Sequence, residues 1–285
     1  MAKQAISKGV SPWTGTFFGN LWLGLIWGAI AVYRGEIVPS EAWIDAGIIG
    51  LLFVLGQMFT YLAYQFGDVS VATPVFGTKV LIVAILASLL GGQPITAIVW
   101  LAGVLACAGV ILIQWSGRTA TDGDTEETTP SRIGLTIFIA LTAALSLSLF
   151  DVFLGKWATG RWNSLAFLPV MFGSAAALSV VFLPWVDKFG RLKELNATWW
   201  MLGGTFLMAS QAMSMCYTLS TYGDVARTNI VYSLRGMWGV IFAWLLARAL
   251  KSGEANASRA TMMRRLIGAG LLTAAVVLAI SAGEK

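Results

Sequence analysis

Two basic residues, Lys79 and Arg235, interrupt long apolar stretches of the chain. Placing a Lys or Arg near the middle of a membrane costs about 2.5–3.5 kcal/mol on insertion scales. A cation at that depth is therefore expected to have a functional role. The two residues are equivalent, because residues 61–90 and 217–246 repeat one segment at an offset of 156 without a gap. Arg offers a planar fork for a carboxylate or phosphate, and Lys offers a point charge. The duplicated cations therefore predict a site for an anionic group.

Further polar side chains lie at helical spacing in the helices that precede the two cations. Gln57 is followed one turn later by Tyr61, and Gln211 is followed by Ser214. Residues three or four apart share one face of a helix, so these side chains are expected to face a wet cavity. We predict that the substrate-binding residues are Lys79, Arg235, Gln57, Tyr61, Gln211, Ser214, Tyr232, Thr73 and Asn229, of which the last two are equivalent in the repeat.

Asp151 is the acidic residue best placed inside an apolar stretch, and its role has two interpretations. The carboxylate could neutralise a cation, and a long Arg235 side chain could reach it, which would make the charges a structural pair. One acid cannot cancel two cations, so at least one of them is expected to line the substrate site. Alternatively, Asp151 is a gate or a proton-coupling group, because a partly desolvated carboxylate can exchange a proton near neutral pH.

The composition indicates a chain whose solvent is mostly lipid: 57% of the residues are hydrophobic and the mean hydropathy is +0.76. About 20 apolar residues in a helix cross the hydrocarbon core of a bilayer. Backbone polar groups must pair internally in lipid, so such stretches predict helices and an all-α polytopic membrane protein. Nine stretches qualify, near residues 13–33, 43–66, 70–90, 95–114, 134–155, 164–186, 198–220, 226–248 and 264–282.

The chain divides into two unequal halves. Residues 116–133 are rich in Thr, Gly and acidic residues and are typical of a flexible linker, so we predict a first repeat over 1–115 and a second over 134–285. At an offset of 153, the residues from Lys3 to Ser11 align with those from Lys156 to Ser164. The chain thus begins where the second half is finishing its first helix, and we expect nine transmembrane helices, ten minus the first.

Several function classes are disfavoured. The net charge is +5, but the basic residues lie mainly in short loops beside helix ends, where they orient a membrane protein, so no nucleic acid is expected as a partner. The chain has no His and no zinc-protease, serine-hydrolase or paired-Asp signature, so we do not expect an enzyme, a cofactor or a metal. Cys107 and Cys216 lie within apolar stretches and are expected to be small buried hydrophobes.

The order of short motifs through both halves resembles the drug/metabolite transporter superfamily, and specifically its EamA-like family. The motifs of the first half are Ser11-Pro12 before an apolar helix, the segment from Asp68 to Pro74, and Gly103 to Gly109. The corresponding motifs of the second half are Asp224-Val225-Ala226 and Gly268-Ala269-Gly270. The resemblance implies two inverted repeats of five helices and alternating access about a site near the bilayer midplane. It also implies an anionic substrate, since the sugar-phosphate translocator branch uses basic residues in the corresponding helices.

These observations lead us to expect a secondary transporter that moves a small organic, anionic metabolite by alternating access. Two alternatives remain: an exporter of amino acids or drug-like cations with the same fold, and a non-transporting membrane scaffold. The expected location is the cell membrane, plasma or inner, as a multi-pass protein. The expected partners are the small-molecule substrate and the lipid bilayer, and assembly into a homo-oligomer is left open.

Overall fold

The computed structural model describes residue 5 and residues 8–36, 38–66, 69–92, 95–114, 130–235, 237–238, 241 and 259–282, which contain helices and no strand. The helices are α1 (Pro12–Arg34), α2 (Ala42–Phe66), α3 (Val69–Gly77), α4 (Lys79–Leu89), α5 (Ala97–Gln114), α6 (Pro130–Trp157), α7 (Ser164–Ser179), α8 (Phe189–Glu194), α9 (Thr198–Tyr222), α10 (Val225–Tyr232) and α11 (Arg259–Ser281), with a 3₁₀ segment at Val180–Trp185. The first residues of α6 fall within the predicted linker, most of which lies outside the described residues.

The helices coincide with the predicted apolar stretches as far as the chain is described. Five are long and apolar enough to cross a membrane: Pro12–Arg34, Ala42–Gln65, Ile133–Trp157, Ser164–Trp185 and Met263–Ser281. Many large apolar side chains on their outer faces are exposed, including Leu89 and Phe138, as expected for surfaces that contact lipid. The structure thus agrees with a polytopic helical membrane protein, while the count of nine helices stays a prediction because the remaining helices are short, interrupted or more polar.

Both copies of the repeated segment contain a break in the helix just before the cation. In the first copy, α3 ends at Gly77, Thr78 forms a turn, and α4 begins at Lys79. In the second copy, α10 ends at Tyr232, Ser233 forms a turn, and Arg235 lies in the helix that follows. The Thr78 hydroxyl donates to the Val75 carbonyl at 2.7 Å, and the Ser233 hydroxyl donates to the Ile230 carbonyl at 2.5 Å. These hydroxyls satisfy carbonyls in the turns, which lets each helix bend inside the protein.

Close backbone contacts join the two halves. Helix α5 packs along α11, and a Cβ added at Gly109 would lie 2.8 Å from the Gly268 carbonyl oxygen, with the reciprocal distance also 2.8 Å. Gly103 and Gly270 are different, because an added Cβ has ordinary contacts at Gly103 and none within 4 Å at Gly270. Small residues allow such backbone approach between membrane helices, so two of these four glycines set the α5–α11 distance.

Helices α1 and α7 are joined at both ends. At one end the Asn163 amide donates to the Glu36 carboxylate at 2.6 Å. At the other end the buried Asp187 carboxylate accepts from the Ser11 backbone N–H at 2.6 Å and from the Thr14 hydroxyl at 3.2 Å. Asp187 therefore satisfies the N-terminal turn of α1, for which the Ser11 side chain makes no cap. The α1–α7 pair forms one side of the bundle.

Candidate functional site

A central cavity lies between α2, α3, α4, α6, α9, α10 and the segment that follows α10, so both halves contribute to it. Its volume is about 220 Å³, which is below the roughly 300–1,000 Å³ of sites for drug-sized ligands. The space is large enough for several waters or one small organic molecule. Its lining residues are Phe53, Gln57, Thr60, Tyr61, Tyr64, Phe76, Lys79, Ala144, Leu147, Phe150, Asp151, Met208, Gln211, Ala212, Met215, Cys216, Tyr232 and Arg235.

The structure pairs Lys79 with Asp151 across this cavity. The Lys79 Nζ lies 2.6 Å from the Asp151 Oδ2, and the two side chains are only 15% and 1% exposed. The expectation that Arg235 would reach Asp151 is therefore wrong, because Lys79 starts α4 directly opposite the carboxylate on α6. Two opposite charges in contact cancel most of the field that either would project into the cavity. The ion pair also supplies the counter-ion that a lysine inside a membrane requires.

Arg235 has a different environment. Its Nη1 donates to the Tyr232 hydroxyl at 2.8 Å, and its guanidinium carbon lies 4.3 Å from the centroid of the Tyr232 ring. Among the residues that the structure describes, no carboxylate lies within 4.0 Å of Arg235. A guanidinium has five N–H donors, and one is occupied by Tyr232. Arg235 therefore presents a positive charge and free donors to the cavity.

Three uncharged predicted residues also line this space. The Gln57 Oε1 is buried without a hydrogen-bond partner in the described part of the chain. The Tyr61 hydroxyl lies 3.5 Å from the Met208 sulfur, a weak acceptor, and Gln211 faces the same space from α9. These groups retain hydrogen-bonding capacity that a bound molecule or water can use.

The other predicted residues are placed differently. Asn229 is buried, donates to the Val225 carbonyl at 3.1 Å and lines a smaller adjoining cavity of about 60 Å³, which Lys79 and Arg235 also border. Ser214 does not line either cavity; it is exposed, and its hydroxyl donates to the Ser210 carbonyl. The side chain of Thr73 lies outside the described residues. Ser214 is consequently left out of the candidate site.

Sequence reasoning missed the apolar part of the lining. Six aromatic rings border the cavity, and the list of predicted substrate-binding residues contains only two of them, those of Tyr61 and Tyr232. On α2 the lining residues Phe53, Gln57, Thr60 and Tyr64 recur at intervals of three and four, which is the period of one helix face. Extending the face from Gln57 in both directions would have found them. No comparable signal marks Phe76, because it lies beside the helix break.

The fold and cavity together define a class: a helical, integral membrane protein with a cavity between its two halves that is lined by aromatic rings and a few charged side chains. A solved structure described only as "Crystal structure of protein" covers 99% of this chain and 93% of its own, with a TM-score of 0.65 at 17% identity, which shows a shared fold. No curated protein matches the chain at a significant level.

Residues 1–115 match the EamA-like transporter family. Over these residues the match confirms the resemblance predicted from the motifs, and it is consistent with the drug/metabolite transporter superfamily.

Proposed function

We propose that the protein is a secondary transporter that carries a small organic anion through the central cavity by alternating access. The observation that carries the proposal is the unequal state of the two duplicated cations. Lys79 is cancelled by Asp151, whereas Arg235 meets only the hydroxyl and ring of Tyr232 among the described residues. A cation within a membrane-spanning segment that has no fixed counter-ion is stabilised when an anion binds beside it.

The helix breaks support alternating access as the mechanism. Both cations follow breaks at equivalent places in the repeat, and discontinuous helices at the midplane are typical of binding sites in transporters built from inverted repeats. A broken helix can tilt the segment on one side of the break while the segment on the other side stays packed. The substrate site would then open to each side of the membrane in turn.

Asp151 has a place in this mechanism as a counter-ion and gate. Its contact with Lys79 joins α4 to α6 at the cavity wall. The Lys79 Nζ at 2.6 Å supports the counter-ion role. Opening of this wall would require the pair to separate or to move together.

An exporter of amino acids is the second candidate, and one observation favours it. The Lys79–Asp151 pair presents both signs of charge beside Arg235 and the aromatic rings, which suits a zwitterion. A drug-like cation fits less well, because Arg235 would repel it. The proposed location is the plasma or inner membrane, and the proposed partners are the transported molecule and the surrounding lipid.

Ligand-induced stabilisation of the purified protein tests the proposal. Thermal unfolding of the wild type and of Arg235→Gln is measured with organic anions, sugar phosphates, amino acids and lipophilic cations. A ligand at 100 times its Kd stabilises the folded state by about 2.7 kcal/mol. We expect organic anions to raise the Tm of the wild type and to lose most of this effect in Arg235→Gln.

Arg227→Gln is the matched control for this variant. Arg227 makes an ion pair with Asp224 and donates to the Ala282 carbonyl, away from the central cavity, so the anion response should survive its substitution. Stabilisation by cations alone, or equal anion responses in the wild type and Arg235→Gln, would refute the proposal. Flux of the stabilising anion in proteoliposomes then separates a transporter from a scaffold.

A further inference from the structure

We infer that the substrate carries a single net negative charge on a flat, largely apolar body, and that Asp151 sets this charge limit. The inference rests on the proposed function, since it assumes that the central cavity is the substrate site. It concerns the class of anion that the cavity accepts. The argument has two parts, the charge of the lining and the nature of its walls.

The described lining of the cavity contains three charged side chains. Lys79 and Asp151 contribute one charge of each sign and are in contact, so their sum is zero. Arg235 adds one positive charge and is the cation that remains for a ligand. One carboxylate beside Arg235 makes the filled cavity neutral, whereas a second negative charge on the ligand would face Asp151 with no free cation to balance it.

The walls favour a planar apolar body. Rings from both halves surround the space, namely those of Phe53, Tyr61, Tyr64, Phe76, Phe150 and Tyr232. Aromatic side chains pack well against flat molecules by stacking and edge contacts. The Gln57 Oε1 and the Gln211 amide add hydrogen-bonding groups for one or two polar substituents. A small aromatic or unsaturated monocarboxylate satisfies the charge, the volume and the walls together.

A series of related probes separates charge from size. Benzamide is neutral, benzoate is a monoanion, phthalate is a dianion at neutral pH, and monomethyl phthalate has the bulk of phthalate with one charge. Stabilisation of the purified protein by each probe is titrated in the wild type, in Asp151→Asn and in Lys79→Gln/Asp151→Asn. The single variant raises the net charge of the lining to about +2 by freeing Lys79, and the double variant restores about +1 by removing both charges of the pair.

We expect the wild type to bind benzoate and monomethyl phthalate at least about tenfold more tightly than phthalate, and benzamide least. In Asp151→Asn the ratio of phthalate to monomethyl phthalate affinity should rise at least about tenfold, and in the double variant it should return to the wild-type value. A rise that the double variant reverses cannot come from a general change in packing, because both variants carry the same Asn.

Two results would overturn the inference. The first is that the wild type binds phthalate as tightly as its monomethyl ester, or more tightly. This result would refute the inference even if Asp151→Asn does not fold. The second is that a folded Asp151→Asn variant has the same ratio of phthalate to monomethyl phthalate affinity as the wild type. Both would leave the anion-binding role of Arg235 intact. Absence of stabilisation by every anion would instead refute the proposed function and this inference together.

Discussion

At the residue scale, the two cations at equivalent positions of the repeat have different surroundings. Lys79 and Arg235 occupy equivalent places after equivalent helix breaks, yet one has a carboxylate at 2.6 Å and the other has a tyrosine. The difference lies in α6, which supplies Asp151 on only one side of the cavity. A cation with a fixed counter-ion is a structural element, whereas a cation without one is available to a ligand.

The buried ion pair predicts a large cost for breaking it from one side. Lys79→Gln would leave Asp151, which is 1% exposed, without its counter-ion, and we expect a loss of about 3–5 kcal/mol in the free energy of unfolding. Lys79→Gln/Asp151→Asn should recover most of this loss, because neither charge then remains buried alone. Thermal or denaturant unfolding in detergent measures both. Equal destabilisation by the single and double variants would show that the charges do not interact.

At the element scale, the contact between α5 and α11 depends on two glycines that face each other. The backbone of each helix lies where a Cβ of the other would have to fit. Membrane helices gain no hydrophobic energy from leaving lipid, so close packing of this kind has to supply much of their association. This pair connects a helix of the first half to one of the second and holds one side of the bundle together.

Two substitutions in α11 test this packing. Gly268→Ala places a Cβ 2.8 Å from both the Gly109 carbonyl oxygen and the Ile113 side chain, so the helices must separate, at a cost of about 1–3 kcal/mol. Gly270→Ala meets nothing within 4 Å and should be neutral or stabilising, since Ala favours helix over Gly by about 0.5–1 kcal/mol. The melting temperatures of the two variants give the comparison. Similar melting temperatures for the two variants would show that Gly268 is not at a close contact between α5 and α11.

At the scale of the whole molecule, the proposed alternating access assigns different roles to two helix interfaces, a fixed one between α1 and α7 and a moving one between α4 and α6. Helices α1 and α7 are bonded at both ends through Glu36 and Asp187. The Lys79–Asp151 ion pair joins helices α4 and α6 inside the bundle. At one end of the bundle, the Lys156 Nζ at the end of α6 donates to the Leu90 carbonyl, which follows α4, at 2.6 Å. The α4–α6 contact borders the cavity, so its separation would open a path to that end of the bundle.

Cross-linking tests this distinction. In a variant with Cys107 and Cys216 replaced by Ala, Leu90→Cys/Lys156→Cys is joined with a short bifunctional thiol reagent. We expect the cross-linked protein to keep ligand-induced stabilisation but to lose flux in proteoliposomes, because alternating access needs the end to open. Glu36→Cys/Asn163→Cys, joined in the same way across α1 and α7, should retain flux. Unchanged flux in the first cross-linked pair would contradict the assignment of α4–α6 as the moving contact.

The amino-acid sequence by itself determined the helical membrane class, the family resemblance and the location of the two cations, because hydropathy and the repeat are properties of neighbours along the chain. It also placed Gln57, Tyr61 and Gln211 near those cations, since helical period is local. Only the tertiary structure decided that Asp151 pairs with Lys79 and not with Arg235, and that Ser214 points away from the cavity. Those outcomes depend on how helices distant in sequence rotate and cross, which a local pattern in the sequence does not specify.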